Sequence, residues 1–150
     1  MSTQDEVWMQ AALEEAKLAL VDRCLPFGAV IVRRGEIIAR NRSRENTLSD
    51  VTVHAELQAV SQACRALQTI DLGNCTIYAT GEPCNMCASA IFQANVSRVV
   101  IAATRDDLNQ ILRKRKIRIF ELAKDLKYDP TIETGLFRDE SLRLFSQAKR

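Results

Sequence analysis

The feature that most constrains this chain is an alternation of helical and extended signals that runs unbroken from Val53 to Ala103. Ala55, Ala59, Val60, Ala63, Cys64 and Leu67 recur at helical spacing, and the Gly73-Asn74 turn sets an outer limit to that helix. Asp50 or Thr52 is available to cap its start. Cys75 to Ala79 then reads as a buried strand and Gly81 to Pro83 as a turn. Cys84 to Ala94 reads as a second helix with Pro83 at or near its first position, and Val96 to Ala103 as a further strand. Such alternation predicts an α/β fold, a three-layer α/β/α sandwich around a mixed sheet of five strands.

The flanks fit this frame. Val7 to Val21 is an Ala/Leu-rich amphipathic helix that ends before Pro26. Phe27 to Val32 and Glu36 to Arg40 are β-branched or apolar runs on either side of Arg34-Gly35, the signature of a hairpin. Asn41 to Asp50 reads as a loop. Beyond the central region, Asp107 to Leu112 reads as helical, Ile117 to Phe120 as a short strand, and Glu121 to Leu126 and Glu140 to Ala148 as helices. There is no internal repeat and no Pro/Gly/Ser-rich linker, so residues 1–150 are expected to form one domain.

Charge and cysteine usage narrow the function classes. The longest apolar stretches are too short to span a bilayer, and Asp5 and Glu6 stand where a targeting peptide would be basic, so a cytoplasmic protein without membrane contact is expected. The formal net charge is only +2, which gives weak attraction of the whole molecule to nucleic acid. Locally, Arg113, Lys114, Arg115, Lys116 and Arg118 form a basic run, which is either a solvated face or a phosphate-contacting patch. Five cysteines are an odd number, which argues against a disulfide framework. Cys24, Cys64 and Cys75 sit among apolar neighbours as small buried residues, whereas Cys84 and Cys87 form a Cys-x-x-Cys pair with metal-ligand spacing.

Element rises explain how His54 could join that pair. A helix of about 15 residues descends roughly 22 Å, and a strand of about 7 residues climbs back roughly 23 Å. The two helix starts therefore meet at one edge of the sheet. Cys84 and Cys87 lie one turn apart on one face, where the positive end of the helix favours thiolates. Imidazole and thiolate are zinc ligands, and three protein ligands leave a fourth tetrahedral position for water or hydroxide, as in catalytic sites. Glu56 cannot share a lateral helix face with His54 two residues away. Because Cβ atoms tilt toward the helix N-terminus, a metal lying off the helix end can be approached by both.

His54-Ala55-Glu56 and Pro83-Cys84-Asn85-Met86-Cys87 resemble the H-x-E and P-C-x-x-C strings of the cytidine deaminase superfamily, and the resemblance extends roughly from Pro26 to Asp107. It implies one zinc held by His54, Cys84 and Cys87, with Glu56 as the catalytic proton carrier. It also implies a homodimer, which could exchange C-terminal segments. Pro26-Phe27-Gly28-Ala29-Val30 and Glu82-Pro83-Cys84 are similar to the branch that includes bacterial guanine deaminases. There Phe27 would pack against a flat base and Asn41 would recognise the ring. Asn46 is the alternative to Asn41, because the loop before His54 is longer than in the family. Asp107 falls where guanine deaminases place a base-binding carboxylate. Departures from the family pattern include Val51 and Val53 for Pro and Ala, Gly81 for Thr or Ser, and Gln93 for an aromatic.

The implied reaction is hydrolytic deamination of an amino-substituted base with release of ammonia, and guanine to xanthine is the first expectation. Glu56 would take a proton from the attacking water and return protons to the ring nitrogen and the leaving amine. The Ala55 N–H, without an intrahelical partner at a helix start, would donate to a substrate carbonyl. The expected partner is therefore a small nucleobase or nucleoside. Three alternatives stand beside it: adenosine in transfer RNA, with the basic run tracking phosphates; cytosine or another amino-substituted ring; and a non-catalytic zinc-stabilised module. The transfer RNA branch more often carries Val where Phe27 stands, and the non-catalytic module would need a fourth protein ligand.

Overall fold

The computed structural model describes residues 1–127 and 129–148. One interior strand of its sheet is buried on both faces. In β1 (Gly28–Arg33), Ala29 and Ile31 enter one apolar cluster, while Val30 and Val32 enter another on the opposite side, as the two-residue period of a strand requires. Around it lie β2 (Glu36–Arg42), β3 (Thr76–Gly81), β4 (Arg98–Ala103) and β5 (Thr131–Thr134), in the order β2-β1-β3-β4-β5. β1 runs antiparallel to β2 and β3, and β3, β4 and β5 are parallel, so the sheet is mixed.

Helices cover both faces. α1 (Thr3–Val21) and α6 (Arg138–Ser146) pack over Val30, Val32, Tyr78, Val100 and Ala102. α3 (Ala55–Leu67), α4 (Asn85–Gln93) and α5 (Ile119–Lys124) pack over Ala29, Ile31, Ile77, Val99 and Ile101. A single turn, α2 (Glu45–Leu48), lies in the connection before α3. The expected three-layer α/β/α sandwich with five strands is the observed fold. No helix of the described residues is long and apolar enough to cross a membrane.

The hairpin between β1 and β2 turns on Arg34 (φ 51°) and Gly35 (φ 74°). Two successive positive φ values give the turn whose twist matches antiparallel strands. α1 begins four residues earlier than the apolar pattern indicates, because Ser2 and Asp5 form a reciprocal capping box.

Elsewhere the sequence expectations need correction. Residues 107–112 form turns instead of a helix: the Asp107 carboxylate accepts from the Thr104 N–H (2.8 Å) and hydroxyl (2.9 Å) and so closes a local turn. The expected strand from Ile117 to Phe120 is instead the start of α5, with Arg118 at its N-cap. The fifth strand is Thr131–Thr134, a polar edge segment that pairs only through β4. Neither Asp50 nor Thr52 caps α3. The N-cap is His54, and the Asp50 carboxylate accepts instead from the Thr52 N–H (2.8 Å) and hydroxyl (2.6 Å).

The pairing registers place the site. Gly28, at the start of β1, pairs with Arg42 at the end of β2, and Ala29 pairs with Ala79 near the end of β3. Gly81 pairs with Ala103, so β2, β3 and β4 all end at one sheet edge. The connections into α3 and α4, and the long segment after β4, leave from that edge, where open α/β sheets place their ligands.

Candidate metal centre

His54 occupies the N-cap of α3 in an extended conformation (φ −85°, ψ 150°) and makes no side-chain capping bond. Its imidazole is therefore free to turn off the helix end. Cys84 holds the equivalent N-cap of α4 (φ −67°, ψ 173°), also without a capping bond, and Cys87 lies one turn further on and is fully buried. The Nδ1 of His54 is 3.6 Å from each sulfur, and all three donor atoms lie within 4.8 Å of one another.

These distances test the fit to zinc. Zn–S of about 2.3 Å and Zn–N of about 2.0 Å at tetrahedral angles give a sulfur–nitrogen edge of about 3.5 Å, close to both observed separations. The helix ends supply the right electrostatics. The backbone N–H groups of Leu57 and Cys87 favour thiolate at Cys87 and Cys84 respectively. The hydrogen bond from Cys87 holds Cys84 well below the usual thiol range, with His54 adding to the effect, and the same bond, with burial, pushes Cys87 far up. The Cys84 contact raises the His54 pKa above its ordinary value. Concentrated thiolate character beside an imidazole is what a soft divalent cation stabilises.

Glu56 completes the group. It is 2 % exposed, and its Oε1 is buried without a hydrogen-bond partner among the described residues. Burial pushes its carboxyl up to about 7. Its contact with Cys87 and its electrostatic coupling to Cys84 and His54 show that the carboxylate converges on the ligand cluster from α3, although it lies two residues from His54.

The other expected residues are distributed differently. Ala55, fully buried at the first position of α3, has an N–H with no intrahelical acceptor. Phe27 packs edge-on against Phe145, with centroids 5.0 Å apart and planes at 78°. Asn41 lies on β2, where its carbonyl accepts from Arg44 (3.3 Å) and its amide donates to Gln62 (3.3 Å). Asn46 is exposed on α2. Asp107 is held by Thr104 and by Arg138 (3.3 Å). Of the five cysteines, Cys24 and Cys75 are buried as expected and Cys64 is half-buried, and all are free.

One contributor escaped sequence reasoning. Glu82, 1 % exposed and two residues before Cys84, binds the Arg118 guanidinium through both oxygens (2.6 and 3.0 Å) and accepts from the Arg105 N–H (3.1 Å). Thirty-six residues separate the partners. An acid before Pro-Cys and a distant basic run were visible, but only the sheet edge brings them together.

Comparison with known proteins bears on this geometry. Residues 2–103 match the family described as cytidine and deoxycytidylate deaminase zinc-binding region. A tRNA-specific adenosine deaminase of Bacillus subtilis is 45% identical over 101 residues, 67% of this chain and 63% of that protein, so the match spans less than two thirds of the relative's length. The tRNA-specific adenosine deaminase of Agrobacterium fabrum is 36% identical over 146 residues, 95% of this chain and 94% of that protein. A guanine deaminase of B. subtilis is 44% identical over 82 residues, 55% of this chain and 53% of that protein. Among solved structures, one from a study of A-to-I editing by tRNA:A34 deaminases superposes with a TM-score of 0.78 at 34% identity, covering 91% of this chain and 97% of that one. Guanine deaminase from Nitrosomonas europaea superposes with a TM-score of 0.86 at 29% identity, covering 95% of this chain and 83% of that one. With both ligand-bearing strings inside the matched region and their donor atoms converged at zinc-compatible distances, the chain belongs to the cytidine and deoxycytidylate deaminase zinc-binding family.

Proposed function

We propose that the protein is a hydrolytic deaminase that converts adenosine to inosine in an RNA strand of transfer RNA type. The observation that carries the chemistry is the buried, unpartnered Oε1 of Glu56 beside three donors spaced for zinc. Zinc held by His54, Cys84 and Cys87 would supply Lewis-acid activation of a water at neutral pH. Glu56 takes the proton of that water as its oxygen adds to the ring carbon bearing the amino group. It passes that proton to the adjacent ring nitrogen, then takes the second proton from the added hydroxyl and delivers it to the amine, which leaves as ammonia while a carbonyl remains. A carboxyl raised by burial toward neutrality suits both directions of transfer. Ala55 N–H and the Phe27 ring serve as base contacts in this reading. Asn41 joins them only by exchanging its Arg44 and Gln62 partners.

The RNA substrate is favoured over a free base because a relative matched along nearly its whole length is a tRNA-specific adenosine deaminase. Guanine remains the second reading, favoured by the higher TM-score to the N. europaea enzyme. Its base-binding carboxylate would be Asp107, which would first have to leave Thr104 and Arg138. The homodimer implied by the sequence resemblance belongs to either reading.

The test is ammonia release by the zinc-loaded protein from an anticodon stem-loop RNA, free adenosine, guanine and cytosine. The RNA is expected to be the best substrate, and higher turnover on guanine would overturn the assignment. Glu56→Gln is expected to keep its zinc and lose about a hundredfold or more in kcat. Loss of the metal with the activity would mean that Glu56 acts in binding it.

A further inference from the structure

The segment between β4 and α5 is built into a basic cavity beside the metal centre. Its volume is about 440 Å3, within the range of small-ligand pockets. Arg105, Lys114, Arg115, Lys116 and Arg118 line it, with Asp106 and Asn109. Against these five cations stand Asp106 and, beneath Arg118, Glu82, which leaves an excess of three positive charges.

The cations differ in what they do. Arg118 is committed to Glu82 and Asp106, and Arg105 Nε donates to the Arg113 carbonyl (2.8 Å), so these two arginines brace the segment. Lys114, Arg115 and Lys116 are exposed and make no ion pair among the described residues. Three adjacent unpaired cations make the local potential positive and favour an anion there. Burial, and after it the neighbouring Arg115, push the guanidinium of Arg105 down. The braced frame is also tied to the catalytic edge. The Arg105 N–H and the Arg118 guanidinium both hold Glu82, two residues from Cys84.

We propose that this cavity is a phosphate subsite of the substrate, in which Lys114, Arg115 and Lys116 hold the phosphate adjoining the nucleoside that reacts at the metal centre. The proposal rests on the deaminase reading above and extends it. A free base has no group for such a site. The shared chemistry is a phosphate ester, which either an RNA strand or a mononucleotide could supply, and the extended run of three unpaired cations at the cavity mouth favours the strand.

The experiment measures binding separately from turnover. Zinc-loaded wild type and the triple variant Lys114→Ala, Arg115→Ala, Lys116→Ala are titrated with a fluorescein-labelled anticodon stem-loop between 50 and 200 mM salt (roughly the range where phosphate contacts dominate). Adenosine 5′-monophosphate and adenosine serve as competitors. All three positions are exposed, and equal zinc content and equal circular dichroism verify the fold. The expected result is weaker stem-loop binding by the variant, with a log Kd against log salt slope shallower by roughly 0.7, the change for one single-strand phosphate contact. If the stem-loop is unaffected but competition by the mononucleotide is lost while adenosine is unchanged, the phosphate subsite stands and the RNA assignment falls. If neither ligand distinguishes the variant from wild type, the proposal is overturned and the run is a solvated face. Stem-loop binding with the expected slope but no ammonia release from RNA would leave the subsite in place and overturn the proposed function.

Discussion

A β-carbon at residue 81 would stand 2.6 Å from Cε1 of Phe27, 3.0 Å from its Cδ1 and 3.3 Å from Cζ of Phe145. Gly81, a departure from the family pattern, and Phe27, part of the resemblance to the guanine deaminase branch, are therefore one steric unit: the glycine makes room for the ring. Gly81→Ser is expected to cost about 1–3 kcal/mol by overpacking. Adding Phe27→Val should recover much of that loss. A double-mutant cycle by chemical denaturation checks this, and strictly additive costs would show the two positions to be independent. Glu56 shows the opposite relation between sequence and structure. Its role as a proton carrier is implied by the resemblance of His54-Ala55-Glu56 to the family string, but the burial that raises its carboxyl toward neutrality belongs to the packed site.

At the scale of elements, a half-buried ionic knot fastens α1 to the sheet. Asp5 accepts from Arg98 through both oxygens (2.7 and 3.0 Å) and from the Tyr78 hydroxyl (2.6 Å), and Arg98 also binds Glu133 on β5 (2.6 Å). The hydrogen bonds from Arg98, followed in effect by that from Tyr78, hold the Asp5 carboxyl well below its ordinary value of 3.8. A depressed carboxyl contributes stability that is fully present above its unfolded pKa and lost as pH falls toward the folded one. Asp5→Asn is expected to destabilise by about 1–3 kcal/mol at pH 6. The gap between wild type and variant should narrow between about pH 4 and pH 3, as read from urea midpoints at each pH. A gap that stayed constant would mean that Asp5 acts through packing alone. Gly28, where β1 passes under α1, adds a close approach at the same interface, because a β-carbon there would overlap the Ala12 carbonyl.

For the whole molecule, the metal centre is a joint between helix starts delivered by separate connections. His54 on α3 and Cys84 and Cys87 on α4 would hold the ion at the edge where β2, β3 and β4 end, so its binding free energy should appear as global stability. At a free zinc concentration about a hundredfold above its Kd, the contribution is about 2.7 kcal/mol. Removing the metal with a chelator is expected to lower Tm by roughly 5–10 °C in a chain of this size, with recovery on adding zinc. Scanning calorimetry reads both. An unchanged Tm in a protein shown to lose zinc would place the metal outside the folded framework.

The sequence by itself determined the layers and the chemistry. Periodicity separated helices from strands between Val53 and Ala103, and the two strings around His54 and Cys84 named a metal set, because ligand type and helical spacing are local properties. Even the count of five strands was legible. The identity of the fifth was not: Thr131–Thr134 is polar and becomes a strand only because β4 offers it a parallel edge, whereas Ile117–Phe120 has the composition of a strand but enters a helix. The tertiary structure also decided which groups the site keeps free. Asp107 and Asn41 spend their polar atoms on neighbours, Glu56 retains one oxygen, and Glu82 reaches Arg118 across 36 residues. Which polar groups are left unpaired is set by contacts between distant segments, and a linear pattern carries no record of those contacts.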